Sequence, residues 1–281
     1  MIPIKVLVPS GVLGLGFDLE ALNNGVKNNP DIISIDGGST DSGPYSLGSG
    51  TSKYSRAAIK AEWKSLMIAR EKAKVPLVIG SCGTCGTNVM VDWMENITIE
   101  LAEELNQNIK IAKLYCQQEK NFIKKNLQLR KIFPLNPAPM LNGQLIEEMT
   151  NIVALAGAEQ IQECINTGAE IILAGRTTDT AIISALPLMK GANPGSSWHG
   201  AKVVECGALC STNPTSGVVM VEFDKTGFTV EPMSKNAFCT SETVAAHMLY
   251  ENADPYILHE PGGYMDVTYS NYYNIDKKKV R

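Results

Sequence analysis

The chain has 281 residues, 44% hydrophobic and 19% charged, with a formal net charge of −4. That balance suits one large or two modest globular domains and excludes a broad basic face for nucleic acid, since the one basic run is Lys277-Lys278-Lys279 with Arg281. No apolar window approaches membrane-spanning length, and the seven cysteines form no secreted-type framework and read as buried thiols in a reducing compartment.

In chain order, Met1 to Val8 reads as a first strand (Ile4 to Val8) rather than a signal peptide. A turn with Gly11, Gly14 and Gly16 follows, without the dinucleotide spacing, and then a helix from Leu19 to Val26. Ile32 to Ile35 is a second strand. The polar loop from Asp36 to Tyr45 comes straight after it, with Ser39, Thr40 and Asp41 inside. Polar loops at strand ends are where α/β proteins place function, although Asp36 and Asp41 also fit a pair of Asx-turns. Ser55 to Lys74 reads as a long helix, with Arg56 in a first turn whose dipole a cation opposes.

Val75 to Ile79 is an apolar, β-branched run that reads as a buried parallel strand. Gly80, Ser81, Gly83, Thr84 and Gly86 make a glycine-rich turn into a helix from Asn88 to Leu105. Glycine lets backbone N–H groups approach a ligand, and a helix N-terminus favours negative charge. An anion cradle and a tight turn with no ligand are both consistent with this pattern. A strand from Asn108 to Leu114, helical segments near Gln117 to Leu127 and Gln144 to Asn151, and a helix from Ala158 to Thr167 come next. The logic then repeats: a strand from Glu170 to Ala174, the turn Gly175-Arg176-Thr177-Thr178-Asp179-Thr180, and a helix from Ala181 to Met189. Thr178 or Asp179 can cap that helix, and Arg176 can fork onto a carboxylate or phosphate or pair with Asp179.

Beyond Gly191 the texture is mixed. Gly195 to Gly200 reads as a loop, Ala201 to Cys206 as a strand or the start of a helix, and Gly217 to Glu222 with Gly227 to Val230 as a hairpin turning at Asp224 to Gly227. Glu242 to Glu251 reads as an amphipathic helix with Val244, Ala245, Met248 and Leu249 inward. Among the histidines, His259 is the best acid/base candidate, because Glu260 and the turn Pro261-Gly262-Gly263 adjoin it, while His247 reads as structural. Cys82 and Cys85 have C-x-x-C spacing, yet a sheet-end glycine loop is not the hairpin knuckle on which zinc pairs sit. No G-x-S-x-G elbow or Walker loop is present.

The stretches Asp36 to Gly50, Pro76 to Ser81, Ala174 to Ala181, and Asp254-Pro255-Tyr256 with Glu260 to Gly263 together resemble the acyclic terpene utilisation (AtuA) family, over nearly the whole chain. The resemblance implies a cytoplasmic, bacterial-type α/β protein linked to catabolism of branched acids or acyl-CoA esters. Members carry alanine or glycine where this chain has Cys82 and Cys85, which weakens a catalytic or metal role for that pair. Members also continue past Arg281, so a truncated or split form completed by a partner is expected.

The resulting expectations are these. The fold is α/β, with a mostly parallel sheet, helices on both faces and a smaller mixed α+β C-terminal region. Residues 1–190 form the α/β domain and residues 191–281 pack over the sheet edge. The protein is an enzyme of small carboxylic acid or acyl-CoA catabolism, of lyase or hydratase type; the alternative is a non-catalytic ligand-binding subunit needing a C-terminal partner. Asp36, Asp41, Asp179, His259 and Glu260 are the catalytic candidates. Gly80, Ser81, Gly83, Thr84, Gly86, Arg176, Thr177, Thr178, Ser39 and Thr40 are the ligand-binding candidates. No metal ligand is assigned; a divalent cation held by hard oxygens or a CoA thioester substrate is the cofactor expectation. The partners expected are a small anionic substrate and a second copy or a C-terminal subunit, with no nucleic acid and no membrane.

Overall fold

The computed structural model describes residues 3–39, 43–135, 137–260 and 263–281. Nine strands and ten α-helices are described: β1 Ile4–Val8, α1 Leu19–Lys27, β2 Ile32–Asp36, α2 Tyr45–Ser49, α3 Arg56–Ala73, β3 Leu77–Gly80, α4 Asn88–Leu105, β4 Ile111–Leu114, α5 Lys120–Gln128, α6 Gly143–Glu148, α7 Ala158–Asn166, β5 Ile171–Ala174, α8 Ala181–Met189, α9 Pro194–Val204, β6 Val219–Phe223, β7 Phe228–Pro232, α10 Ser241–His247, β8 Ile257–Glu260 and β9 Gly263–Asp266. Seven strands form one sheet in the order β4-β5-β3-β2-β1-β6-β7, and β8 and β9 form a separate hairpin. The sheet is parallel from β4 to β1, and β6 and β7 extend it antiparallel from the free side of β1.

Alternation along each strand explains the layering. Leu7, Ile33, Ile35, Leu77, Ile79, Ile171 and Leu173 point to one face and pack on α1, α3 and α4. Val6, Val8, Ile32, Val78, Ile172 and Ala174 point to the other and pack on α7, α8 and α9. Both faces are therefore covered, as a parallel sheet requires. Between α3 and α4 the fully buried Trp63 donates its Nε1–H to Thr98 Oγ1 at 2.9 Å, which lets an indole sit in the core without an orphaned donor.

Two expectations are corrected. Residues 195–200 are not a loop but the first half of α9. Asn193 caps that helix by accepting from Ser196 N at 2.9 Å, and Pro194 occupies the first helical turn, where its missing N–H costs nothing. In the helix at 241–247, Val244 and Met248 are buried but Leu249 is 63% exposed, because the helix ends at His247 before Leu249 can turn inward.

The two sheet edges differ. Val230 on β7 exchanges backbone hydrogen bonds with Val280, so the C-terminal strip covers that edge. At the opposite edge β4 is four residues long and carries Lys113, which pairs with Asp92 and Glu95 of α4. No described helix is long and apolar enough to cross a membrane.

Candidate functional site

Parallel register brings the C-terminal ends of β2, β3 and β5 to one rim. Asp36, the last residue of β2, lies opposite Gly80, the last residue of β3. A Cβ at Gly80 would overlap Thr177 Oγ1 and sit 3.5 Å from Asp36 Oδ1. Glycine at this point therefore lets the β2 carboxylate and the hydroxyl of the β5 turn converge over β3.

The turn from Gly80 to Gly86 is a bed for the turn beside it. Ser81 N–H donates to Gly175 O at 2.9 Å and Cys82 N–H to Ala174 O at 3.0 Å, while Cys85 and Gly86 donate to Gly83 O and Cys82 O. These four amides are spent inside the protein, and residues 81–87 are all buried. Gly86 adopts φ +62°, and a Cβ there would overlap the Arg176 backbone nitrogen. Thr84 Oγ1 donates to Gly37 O at 3.3 Å and accepts from Lys53 N at 3.1 Å, tying the β2 loop down. Cys82 and Cys85 are fully buried free thiols, and burial followed by the nearby Asp36 charge pushes Cys82 well above the usual thiol range.

Ser81, in the left-handed region at φ +46°, is the hinge between the two turns. Its Oγ accepts from Arg176 Nη1 at 2.7 Å. The same Nη1 lies 3.4 Å from Gly38 O and 4.0 Å from Asp179 Oδ1. Arg176 is thus held against protein acceptors, with Asp179 as its counter-charge. Thr178 Oγ1 accepts from the N–H of Ala181, the first residue of α8, at 3.2 Å, so that oxygen is engaged within the turn. Ser39 lines the cleft described next.

Asp36 is 3% exposed; its Oδ2 accepts from Gly38 N at 2.9 Å, and Oδ1 has no protein partner. Burial, then the Asp179 charge, drives its carboxyl well above the ordinary range, against the opposing pull of Arg176. Thr177 Oγ1, fully buried and also without a partner, lies on the same side of Gly80.

A cleft of about 690 Å³ opens beside this rim. One wall is apolar (Leu15, Phe17, Tyr54, Leu209, Pro214) and the other carries Asp36, Ser39, Asp179 and Glu251, with Lys53 as a cation in the lining. A second cleft of about 580 Å³ shares Asp179 and Glu251 and adds Arg176, Thr178, Lys202, Glu205 and His259. His259, on the exposed β8–β9 hairpin, therefore reaches the adjoining cleft and does not line the one containing Asp36. Thr40, Asp41 and the Glu260 side chain lie outside the described residues.

Glu205 and its ion-pair partner Lys202 were not among the residues singled out from sequence. Glu205 is 7% exposed, and burial pushes its carboxyl up to about 8 despite Lys202. The signal is in the sequence: Asn193-Pro194 reads as a cap followed by a first-turn proline, which places Lys202 and Glu205 three apart on one helix face. Among the described residues, no three His, Cys, Asp or Glu side chains converge as metal ligands.

A family model described as "Acyclic terpene utilisation family protein AtuA" matches residues 48–281. No curated protein and no solved structure matches the chain.

Proposed function

The chain belongs to the acyclic terpene utilisation family, and from that premise we propose that it is a lyase or hydratase acting on a small carboxylic acid, presented as its acyl thioester. The observation that carries the reading is the pair Asp36 and Asp179. One is a buried carboxyl that burial pushes toward its neutral form, the other an acid 4.0 Å from the Arg176 guanidinium, and both line one cleft. Two acids in unlike surroundings, one buried and one beside a cation, are the means by which a site runs acid and base chemistry together.

For a β-hydroxyacyl substrate, the Asp179 carboxylate takes the proton from the α-carbon. The C–H electron pair becomes the new C=C bond. The β-C–O bond breaks as Asp36 gives its proton to the departing hydroxyl, which leaves as water. Proton return from Asp179 to Asp36 restores the starting state, and hydration is the reverse. Arg176, fixed by Ser81 and Gly38, sets a positive charge 4.0 Å from Asp179. The apolar wall from Leu15 to Pro214 accommodates the hydrocarbon chain. A thioester suits this cleft better than a free acid, because its carbonyl brings no further negative charge to a wall that already holds Asp36, Asp179 and Glu251.

The test is turnover on a panel of β-hydroxyacyl and α,β-unsaturated thioesters, followed by enoyl absorbance. The wild type converts at least one of them, and Asp36→Asn loses about 10²–10⁴-fold in kcat with the fold retained. Full activity in Asp36→Asn sinks the assignment. The second reading, a ligand-binding subunit that needs a partner, is favoured by the tethering of Arg176 to protein acceptors. It gains if the wild type binds a thioester saturably and converts none of the panel.

A further inference from the structure

Arg176 spends only one of its side-chain nitrogens on the protein. Its Nη1 donates to Ser81 Oγ at 2.7 Å and lies 3.4 Å from Gly38 O and 4.0 Å from Asp179 Oδ1. Among the described residues, Nε and Nη2 have no hydrogen-bond partner. A guanidinium holds its N–H donors in one rigid plane, so Nε–H and Nη2–H form a fork of parallel donors. The Arg176 side chain is 16% exposed and lines the second cleft but not the first, so this fork opens onto the second cleft.

The two acids give a substrate its direction. Asp36 lines the first cleft only, and Asp179 lines both. In the elimination described above, the β-hydroxyl meets Asp36 and the α-hydrogen meets Asp179. The carbon chain therefore runs from the apolar wall past Asp36 to Asp179, and the thioester carbonyl comes next, in the second cleft. Arg176 stands at that point. Its guanidinium is 4.0 Å from the base, and the α-hydrogen and the carbonyl oxygen are borne by adjacent carbons. As the α-proton passes to Asp179, the C–H electron pair shifts toward the carbonyl oxygen. It returns to form the C=C bond as the β-C–O bond breaks. The oxygen is negatively charged only during the reaction, and a fixed donor aimed at such an atom lowers the barrier.

We propose that the thioester carbonyl oxygen seats on the Nε/Nη2 fork of Arg176 in the second cleft, which makes Arg176 a catalytic residue that stabilises the enolate oxygen. This assignment rests on the acyl-thioester reading above and adds to it a carbonyl-binding group and a direction for the substrate. The surroundings favour it. Arg176 is anchored through Nη1, and its acceptor Ser81 stands at φ +46° on the hinge over β3, so the fork does not have to reorganise as charge develops. Asp179, Glu251 and Asp254 line the same cleft. Those acids oppose a permanent anion such as phosphate or a free carboxylate, whereas a carbonyl is neutral when it binds and becomes charged only in the transition state. The cleft has a volume of about 580 Å³ and is also lined by Lys202, Asn252 and His259, polar groups suited to the amides of a pantetheine-type arm.

Kinetics and infrared spectroscopy on the full chain test the assignment. Arg176→Lys keeps a positive charge beside Asp179 but lacks the fork. On the panel thioester that the wild type converts best, it should lose about 10²–10³-fold in kcat with KM little changed. A saturated acyl thioester with an isotope-labelled carbonyl binds without reacting, because it has no β-hydroxyl to lose. Its carbonyl stretch should move to lower wavenumber on binding to the wild type, a reading that depends on no variant folding, and the shift should be lost in Arg176→Lys. An unshifted carbonyl in the wild-type complex overturns the assignment, and so does full kcat in Arg176→Lys. A folded Arg176→Lys that loses activity through KM alone also overturns it and leaves Arg176 a binding anchor. The acyl-thioester reading fails separately, if the wild type converts no member of the panel, and the assignment then falls with it.

Discussion

Two turns in this chain share one sequence grammar and meet different ends. Both run from a buried strand through glycine and small polar residues into a helix: Gly80 to Thr87 after β3, and Gly175 to Thr180 after β5. The first is closed. Its amides bond inward, its residues are buried, and its cysteines are buried free thiols. The second lies on top of it and carries the charged groups, Arg176 and Asp179, to the cleft walls. The lesson is that the glycine-richer turn serves as foundation, and the residues with chemistry belong to the layer it supports. A pattern of strand, glycine and helix therefore marks a rim without saying which of two adjacent turns faces the ligand.

The comparison breaks most readily at the contact between the layers. Gly86→Ala places a side chain at φ +62° against the Arg176 backbone, which cannot step aside, and is expected to cost roughly 3 kcal/mol or more in urea unfolding. Wild-type stability in that variant would mean that the two turns are not in register. The acids behind the second turn sharpen it next. Glu205 binds its proton more tightly folded than unfolded, so between its ordinary range and about 8 the folded state holds more protons. Stability is then full at low pH and falls as pH rises, by about 1.4 kcal/mol per pH unit while only the unfolded state is ionised. Asp36, shifted in the same direction, adds to the fall. Glu205→Gln should flatten the urea-midpoint profile between pH 5 and pH 8; an unchanged slope contradicts a buried, proton-holding Glu205.

A smaller effect is expected at the hinge. Ser81→Ala removes the acceptor for Arg176 Nη1 and should cost about 1.5 kcal/mol. Smallest is Thr178→Ala, the loss of the acceptor for Ala181 N at the start of α8, at about 0.5–1 kcal/mol by thermal or urea melts. If Thr178→Ala proves costlier than Ser81→Ala, the ranking of the two turns as foundation and overlay is inverted.

Much of the fold was legible because period and punctuation agreed. Asn88–Leu105, Ala181–Met189 and Ile4–Val8 are found where the apolar spacing and the flanking glycines put them. The parallel sheet followed from strands alternating with helices. The 195–200 segment was misread because Gly, Ser, Ser and His have weak helix propensity, while the cap at Asn193 and burial against β6 and β7 prevail over it. Asp36, Asp179 and Arg176 meet at the rim to which their places at strand ends assign them. Glu205 was not legible, because its significance comes from burial beside Asp179, and burial is set by packing between segments distant in sequence. The exposure of Phe133, Leu135 and Met140 was hidden for the converse reason: sequence does not say which hydrophobic residues stay outside.

One consequence follows from the way the sheet terminates. With β7 sealed by Val280 and β4 short and lysine-bearing, neither margin offers a template on which a neighbouring chain can add a strand. Edge-to-edge pairing of chains through the seven-stranded sheet is thereby disfavoured, and amide exchange in β4 and β7 should be the same at any concentration. Growth into fibrils would first require the C-terminal strip to peel away.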